Sequence, residues 1–201
     1  MLFLLGHLDL RYGDESSFSL VPNVPYPEVS GWVRAGQTKE LPARRGGTLN
    51  VFGLLNLLGE LTTYQTTKTV NTQVIIGWLN DFAKTINKLT VVVLDNPEVS
   101  GWHRSEAFMN KVEEWAEMGL VIVHLPVYSP HLNLTEILWK KIKYEWLKVE
   151  DYKDKNTLHQ AINHLLKNYN TKEFIIDFKI DFNCDVDEDF DFEIFCQDIF
   201  V

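Results

Sequence analysis

The stretch Leu89-Thr-Val-Val-Val-Leu94, followed directly by Asp95, decides the fold class of this 201-residue chain. Its unbroken run of apolar and β-branched side chains is typical of a strand that is buried in the middle of a sheet. In open α/β sheets, ligands bind beyond the carboxyl ends of such strands. Asp95 is therefore the first candidate for a functional residue.

Strands and helices are predicted on both sides of this central strand. Upstream, the pattern predicts strands at 8–12, 48–57 and 61–67, a turn at Gly13, a hairpin partner for the first strand at 18–21, and a helix that Asn71 caps and that ends near 87. Downstream, it predicts a helix from Ser105 to 118, a strand at 120–125, and helices at 133–148 and 157–169. This order indicates an α/β protein whose mixed sheet has an antiparallel hairpin part and a parallel part, flanked by helices. The RNase H-like fold has the same order.

Charge is distributed unevenly along the chain. The net charge of −9 argues against a nucleic-acid partner, but residues 177–201 hold seven Asp, two Glu and one Lys. The other 176 residues carry 19 acids and 18 bases, and a nearly neutral body with basic patches can still bind a phosphate backbone. We predict one domain at 1–178 and an acidic, aromatic tail at 179–201, either disordered or paired with a sheet edge.

The composition also bears on location and redox chemistry. No apolar run is long enough to cross a bilayer, and the apolar residues 1–5 lack the flanks of a signal peptide. The two cysteines, Cys184 and Cys196, are too few for a disulfide framework or for a zinc site of their own. We therefore expect a cytoplasmic protein with no membrane partner.

Three acidic residues stand where this fold would place a site. Asp14 follows the first predicted strand, Asp95 ends the central strand, and Glu136 lies in the first turn of the helix at 133–148. Carboxylates are the usual protein ligands of Mg²⁺, and a pair of such ions can promote a phosphodiester displacement. Taken singly, each acid is more commonly a solvated surface residue, a turn residue or a compensator of the helix dipole.

The sequence around these acids resembles the mariner superfamily of DDE transposases, in its bacterial insertion-sequence branch. Three motifs carry the resemblance, in this order within residues 8–178: Tyr12-Gly-Asp-Glu-Ser-Ser-Phe18; Val91-Val-Val-Leu-Asp-Asn96 followed by His103-Arg-Ser105; and Leu125-Pro-Val-Tyr-Ser-Pro-His-Leu-Asn-Leu-Thr-Glu-Ile-Leu-Trp-Lys-Lys-Ile-Lys143. The third is the most distinctive. The resemblance implies an RNase H-like, nucleoid-associated enzyme that cuts DNA at transposon ends and joins the freed 3′-hydroxyl to target DNA, using two Mg²⁺ or Mn²⁺ ions.

The resemblance also implies roles for individual residues. Asp14, Asp95 and Glu136 would be the catalytic residues and the metal ligands. Glu15 is the rival of Asp14, and because a strand alternates its side chains, only one of the two can face the site. The family pattern favours Asp14.

Polar residues near the acids have either a functional or a structural interpretation. Three of them would orient the acids or contact the scissile phosphate, or would only serve as a turn amide, a loop residue and a helix cap: Asn96, His103 and Asn133. Six basic residues would form solvated surface or, as we prefer beside a nuclease site, would contact DNA phosphates: Arg34, Arg44, Arg45, Lys140, Lys141 and Lys143.

The chain also departs from the family pattern. The hexapeptide Pro-Glu-Val-Ser-Gly-Trp occurs at 27–32 and again at 97–102, where it lengthens the loop between Asp95 and His103. Only 13 residues precede Asp14, too few for the helix-turn-helix module of these transposases. We therefore expect either a fragment of a longer transposase or the second half of an element split across two reading frames, with a separate N-terminal part that reads DNA. Related enzymes act as dimers on paired ends, and the resemblance therefore implies a homodimer on DNA.

Two other functions stay open. A structure-specific nuclease or resolvase could use the same acids, although the motif that ends at Lys143 argues against it. An inactive transposase remnant, or a DNA-binding or inhibitory fragment, would explain the missing module, the repeated hexapeptide and the tail. The presence of all three acids permits chemistry without proving it.

Overall fold

The computed structural model describes residues 7–21, 47–95, 105–126 and 132–176. Within these ranges, the elements in chain order are β1 (Leu8–Phe18), β2 (Leu49–Asn56), β3 (Leu61–Thr66), α1 (Thr72–Ala83), β4 (Leu89–Leu94), α2 (Glu106–Glu117), β5 (Leu120–His124), α3 (Leu134–Lys141) and α4 (Lys155–Lys167). A π-helical turn, Ile142–Trp146, continues α3, and a 3₁₀ turn, Val149–Tyr152, precedes α4.

The five strands form one mixed sheet in the order β3-β2-β1-β4-β5. The pairs β1–β2 and β2–β3 are antiparallel, whereas β1–β4 and β4–β5 are parallel. The predicted combination of a hairpin part and a parallel part is therefore confirmed. Because β1, β4 and β5 run in the same direction, the residues at their carboxyl ends gather at one edge of the sheet.

Strand β1 differs from the prediction. The expected turn at Gly13 and the hairpin partner at 18–21 are wrong, since the strand continues to Phe18 and its antiparallel partner is β2. A Cβ atom at Gly13 would lie 2.7 Å from Cδ2 of Leu94 and 3.1 Å from Cδ2 of Leu54. Glycine is needed here for close packing inside the sheet and not for a turn, so Asp14 lies within the strand.

Each face of the sheet is covered by two helices. Helices α1 and α2 cover one face, with a core of buried side chains that includes Phe52, Leu79, Val92, Leu94 and Trp115. Helices α3 and α4 cover the other face, with a core that includes Phe18, Val51, Leu138, Ile142 and Leu158. Burying both faces is what the apolar sequence of β4 requires.

Most helix boundaries follow local signals in the sequence. Asn71 and Ser105 cap α1 and α2 as predicted, because their side-chain oxygens accept hydrogen bonds from the backbone N–H groups of Val74 and Phe108. Helix α1 ends at Ala83, short of the predicted 87, and the helix predicted at 133–148 ends in the π-helical turn at Trp146. None of the helices in the described ranges is long and apolar enough to span a membrane.

A buried ion network fastens the turn between β2 and β3 to the start of β1. The guanidinium of Arg11 donates to Asp9 (2.6 Å) and to Glu60 (3.0 Å) and lies over the ring of Phe82 at 5.4 Å. The side-chain amide of Asn56 donates to the other oxygen of Asp9 at 3.0 Å. The side chains of Asp9 and Arg11 are 9% and 11% exposed, so each charge depends on its partner.

Candidate active site

Two of the predicted acids lie side by side at the carboxyl edge of the parallel strands. Strands β1 and β4 pair in register up to Tyr12 opposite Val93. Asp14 lies two residues beyond Tyr12 in β1, and Asp95 lies two residues beyond Val93, directly after β4; continuing the register brings the two acids close together, and the charge of Asp95 acts on Asp14. The sheet therefore brings together two residues that are far apart in the sequence.

Helix α3 is fastened to this pair by Asn133. Its side-chain amide donates to Oδ1 of Asp95 (3.2 Å) and to the carbonyl oxygen of Gly13 (3.3 Å). Its side-chain oxygen accepts a hydrogen bond from the backbone N–H of Thr135 (3.1 Å), which is the capping role predicted for it. Asn133 thus combines the structural role and the orienting role that the sequence left open.

Thr135 adds a second link, which the sequence analysis missed. Its buried hydroxyl donates to the carbonyl oxygen of Tyr12 over 2.5 Å. A threonine inside the first turn of a helix is an ordinary residue, so only the contact itself reveals its role. Together, Asn133 and Thr135 place the next residue, Glu136, over β1 beside Asp14.

A glycine in β2 lets α3 approach the sheet closely. Gly53 is the register partner of Asp14, and a Cβ atom at Gly53 would lie 2.7 Å from Cζ2 of Trp139 and 3.2 Å from Cγ2 of Thr135. The indole of Trp139 packs edge-on against Phe18, with the ring centroids 6.1 Å apart. Trp139 belongs to the core, because only 3% of it is exposed.

Alternation along β1 separates Asp14 from Glu15. A Cβ at Gly13 would point at Leu54 and Leu94, which belong to the core under α1 and α2. Asp14 consequently points to the opposite side, toward α3, and Glu15 points back and is exposed. The strand therefore places Asp14, and not its neighbour, on the side of Glu136.

The electrostatic field at Asp14 is strongly negative. The pKa of its carboxyl is raised from 3.8 to about 8, mainly by burial and also by the negative charges of Glu15, Asp95 and Glu136. A hydrogen bond with the backbone at Glu15 opposes the shift. All three predicted acids thus interact electrostatically, although two of them belong to different elements from Asp14.

The lysines of α3 do not share one outer face. Lys140 pairs with Glu136 at 2.9 Å, and Lys141 pairs with Glu145. Lys143 is instead half-buried, with its Nζ 5.4 Å from the centroid of the Phe18 ring. Burial lowers the pKa of Lys143, and the negative charge of Asp14 opposes this effect. Lys143 lies seven residues, about two helical turns, after Glu136, so it is on the same side of the helix as that acid and is not part of a fully solvated outer surface.

Other predicted features cannot be placed. Five predicted site residues lie outside the described residues: Arg34, Arg44, Arg45, Asn96 and His103. Both copies of the hexapeptide and the tail at 179–201 lie outside them as well.

The acids suit a divalent metal by the chemistry of their oxygen donors. In the ranges that the structure describes, no three His, Cys, Asp or Glu side chains approach closely enough to hold one ion together. Mutual repulsion separates like charges, and Glu136 is paired with Lys140. The donor set nevertheless suits a hard cation, which prefers carboxylate oxygens. The concentrated negative charge that raises the pKa of Asp14 is what such a cation would neutralise.

Comparison with known proteins identifies the family. The sequence profile of the DDE superfamily endonucleases matches residues 9–159, which include Asp14, Asp95 and Glu136. This chain belongs to that family. Membership of the DDE superfamily, predicted from the three motifs, is thereby confirmed. A comparison of this chain with curated proteins found no match.

A solved structure shares the fold of this DDE endonuclease. A crystal structure of the Mos1 mariner paired-end complex with Mn has a TM-score of 0.54 and 16% identity, covering 80% of this chain and 48% of the Mos1 chain. A Mos1 paired-end complex with the left transposon end has a TM-score of 0.48, 17% identity, and 79% and 52% coverage. The catalytic core of HTLV-2 integrase with magnesium has a TM-score of 0.36, 12% identity, and 78% and 83% coverage. The chain adopts the RNase H-like fold and spans about half the length of the Mos1 chains.

Proposed function

We propose that this DDE endonuclease is the catalytic domain of a mariner-type transposase from the insertion-sequence branch, which cleaves DNA at transposon ends and transfers the strand to target DNA. One observation carries the proposal. The amide of Asn133 bonds to the carboxylate of Asp95 and to the backbone beside Asp14 while it caps the helix of Glu136. A single side chain thus ties together the three elements that bear the acids.

The residues proposed to hold Mg²⁺ or Mn²⁺, as two ions, are Asp14, Asp95 and Glu136. When bound, such a pair activates the attacking oxygen and stabilises the leaving oxygen in a displacement at phosphorus. Asn133 would keep the carboxylate of Asp95 in one orientation, since it donates to only one of its oxygens. The hydroxyl of Thr135 would keep the first turn of α3, and with it Glu136, against β1.

Basic residues around the acids are proposed to hold the DNA backbone. Lys140 and Lys143 flank Glu136 and Asp14, and we add Lys141 and the three arginines at 34, 44 and 45 as further phosphate contacts. Contacts to phosphate fix the position of DNA without reading its sequence. We therefore propose that residues 1–178 bind DNA without sequence choice, with the tail at 179–201 outside the domain. A separate DNA-reading part and a homodimer on paired ends would supply the choice of site.

Nicking of supercoiled plasmid in Mn²⁺ tests the proposal. Wild type should nick, and Asp14→Asn, Asp95→Asn and Glu136→Gln should each fall to background. Glu15→Gln is the matched control, because it removes the neighbouring acid on the opposite side of β1, and it should retain activity. Equal nicking by wild type and Asp95→Asn would refute the mechanism.

The products distinguish the open alternatives. Joining of a labelled 3′-hydroxyl end to plasmid DNA supports a transposase, whereas cleavage without joining supports a structure-specific nuclease. A wild-type chain that binds Mn²⁺ and DNA but neither cuts nor joins DNA would be the inactive or inhibitory fragment.

A further inference from the structure

Glu136 already has a cationic partner within its own helix. Its Oε1 lies 2.9 Å from Nζ of Lys140, one turn along α3. The side chain of Glu136 is 28% exposed and that of Lys140 is 61% exposed, so the pair lies at the boundary between the site and solvent. Asp95, by comparison, is held by the neutral amide of Asn133.

Lys140 and a bound divalent cation would compete for the carboxylate of Glu136. The ammonium of Lys140 and a divalent cation shared with Asp14 would both be attracted to the negative charge of the Glu136 carboxylate, and they repel each other, so binding of one weakens binding of the other. Lys140 has an alternative partner in a DNA phosphate, because its exposed ammonium is a mobile donor on a flexible stem. Binding of a phosphate by Lys140 would therefore release Glu136 toward the other two acids.

Resting on the proposed function, we propose that Lys140 is a positioning residue that competes with divalent metal for Glu136 and gives up that carboxylate when DNA is bound. Metal and DNA then strengthen each other's binding through the exchange of partners at Glu136. Such coupling is reciprocal, so it can be measured from either ligand. The cost of opening an exposed pair of this kind corresponds to about a two- to fivefold change in a dissociation constant.

A matched control lies one residue further along α3. Lys141 forms an i,i+4 pair with Glu145 in the same helix, and Glu145 is not one of the three acids. Lys141→Gln therefore removes the same charge and the same kind of pair as Lys140→Gln. Lys140→Arg keeps both the charge and the pair with Glu136.

Isothermal titration calorimetry of the full chain with Mn²⁺ provides the test, with and without a short DNA duplex that carries no transposon sequence. Without DNA, Lys140→Gln should bind Mn²⁺ about two- to fivefold more tightly than wild type, whereas Lys141→Gln and Lys140→Arg should resemble wild type. Adding the duplex should tighten Mn²⁺ binding in wild type and much less in Lys140→Gln. Thermal unfolding of each variant should stay close to wild type, which separates this role from a structural one.

Three outcomes would overturn the inference. If Lys141→Gln tightens Mn²⁺ binding as much as Lys140→Gln, the effect is general electrostatics. If Lys140→Gln leaves the affinity unchanged, or if the duplex tightens Mn²⁺ binding equally in wild type and Lys140→Gln, there is no exchange at Glu136. If wild type and Asp95→Asn both fail to bind Mn²⁺, the proposed function fails along with the inference.

Discussion

The side-chain amide of Asn133 donates to Oδ1 of Asp95 over 3.2 Å, although the two residues are 38 positions apart in the sequence. The same amide donates to the carbonyl of Gly13, and the side-chain oxygen of Asn133 caps α3. One side chain therefore contributes to the stability of a helix and to the orientation of an acid. Substitutions can separate these two contributions.

Asn133→Ser should preserve the cap and remove the bond to Asp95. We expect it to cost about 1 kcal/mol or less of unfolding free energy, and Asn133→Ala, which also loses the cap, to cost about 1–3 kcal/mol. Both variants should lose most of the Mn²⁺-dependent nicking. Urea denaturation and plasmid nicking measure the two effects. Full nicking by Asn133→Ser would show that the bond to Asp95 has no functional role.

Gly53→Ala should move the helix that bears Glu136. Its Cβ would lie 2.7 Å from Cζ2 of Trp139, so we expect a loss of about 1–3 kcal/mol in unfolding free energy, together with weaker nicking. Gly77→Ala in α1 is the control, because nothing lies within 4 Å of its Cβ position, and it should stabilise the protein by about 0.5–1 kcal/mol. Equal effects of the two substitutions on urea denaturation would contradict the close approach of α3 to β2.

The stability of the metal-free protein should depend on pH through Asp14. Its folded-state pKa is about 8, against 3.8 as the ordinary value, so the folded chain binds a proton more tightly than the unfolded chain. The stabilisation from this proton is complete below pH 3.8 and is lost as pH rises through about 8. In EDTA, the difference in unfolding free energy between Asp14→Asn and wild type should therefore grow in favour of the variant across this range. A difference that does not change with pH would contradict the buried, negative surroundings of Asp14.

Arg11→Met should destabilise the fold strongly. It leaves the charge of Asp9 buried without its cation, and we expect a loss of about 3–5 kcal/mol in unfolding free energy. Lys84→Met is the control, because it removes an exposed pair with Asp81 and should change stability by about 1 kcal/mol at most. Chemical denaturation of both variants checks the prediction. Similar small losses would mean that water screens the network at Arg11.

Local sequence signals were enough for the boundaries of several elements and for the positions of Asp95 after β4 and Glu136 in the first turn of α3, whereas Asp14 lies within β1 and not after it as predicted. Strand β4 ends at Leu94 as predicted, and Asn71 and Ser105 cap their helices as predicted, because a run of apolar residues and a capping side chain act within a few residues. Gly13 was wrongly assigned to a turn because its reason lies in the side chains of neighbouring strands. No local pattern carries that information.

The orientation of side chains around the site was harder to predict. Lys143 lies about two helical turns after Glu136 and therefore on the same side of the helix, but only the assembled structure reveals that it is half-buried over Phe18 and interacts with the charge of Asp14. The bonds from Thr135 to Tyr12 and from Asn133 to Gly13 join residues 123 and 120 positions apart. Such contacts form only in the assembled sheet, so the hydrophobic periodicity and the secondary-structure propensities of a single sequence do not predict them.

The attachment of α3 to the backbone of β1 has a consequence for how such an enzyme tolerates evolutionary change. Hydrogen bonds from Asn133 and Thr135 connect the helix to the sheet directly, so its placement does not depend on the length of the chain that leads up to it. A longer connection between the second and third acids, such as the one that contains the second hexapeptide at 97–102, therefore leaves the bonds that hold the helix against the first strand in place. Changes in chain length then fall in the loops, while the contacts between α3 and β1 that hold the acids together are retained.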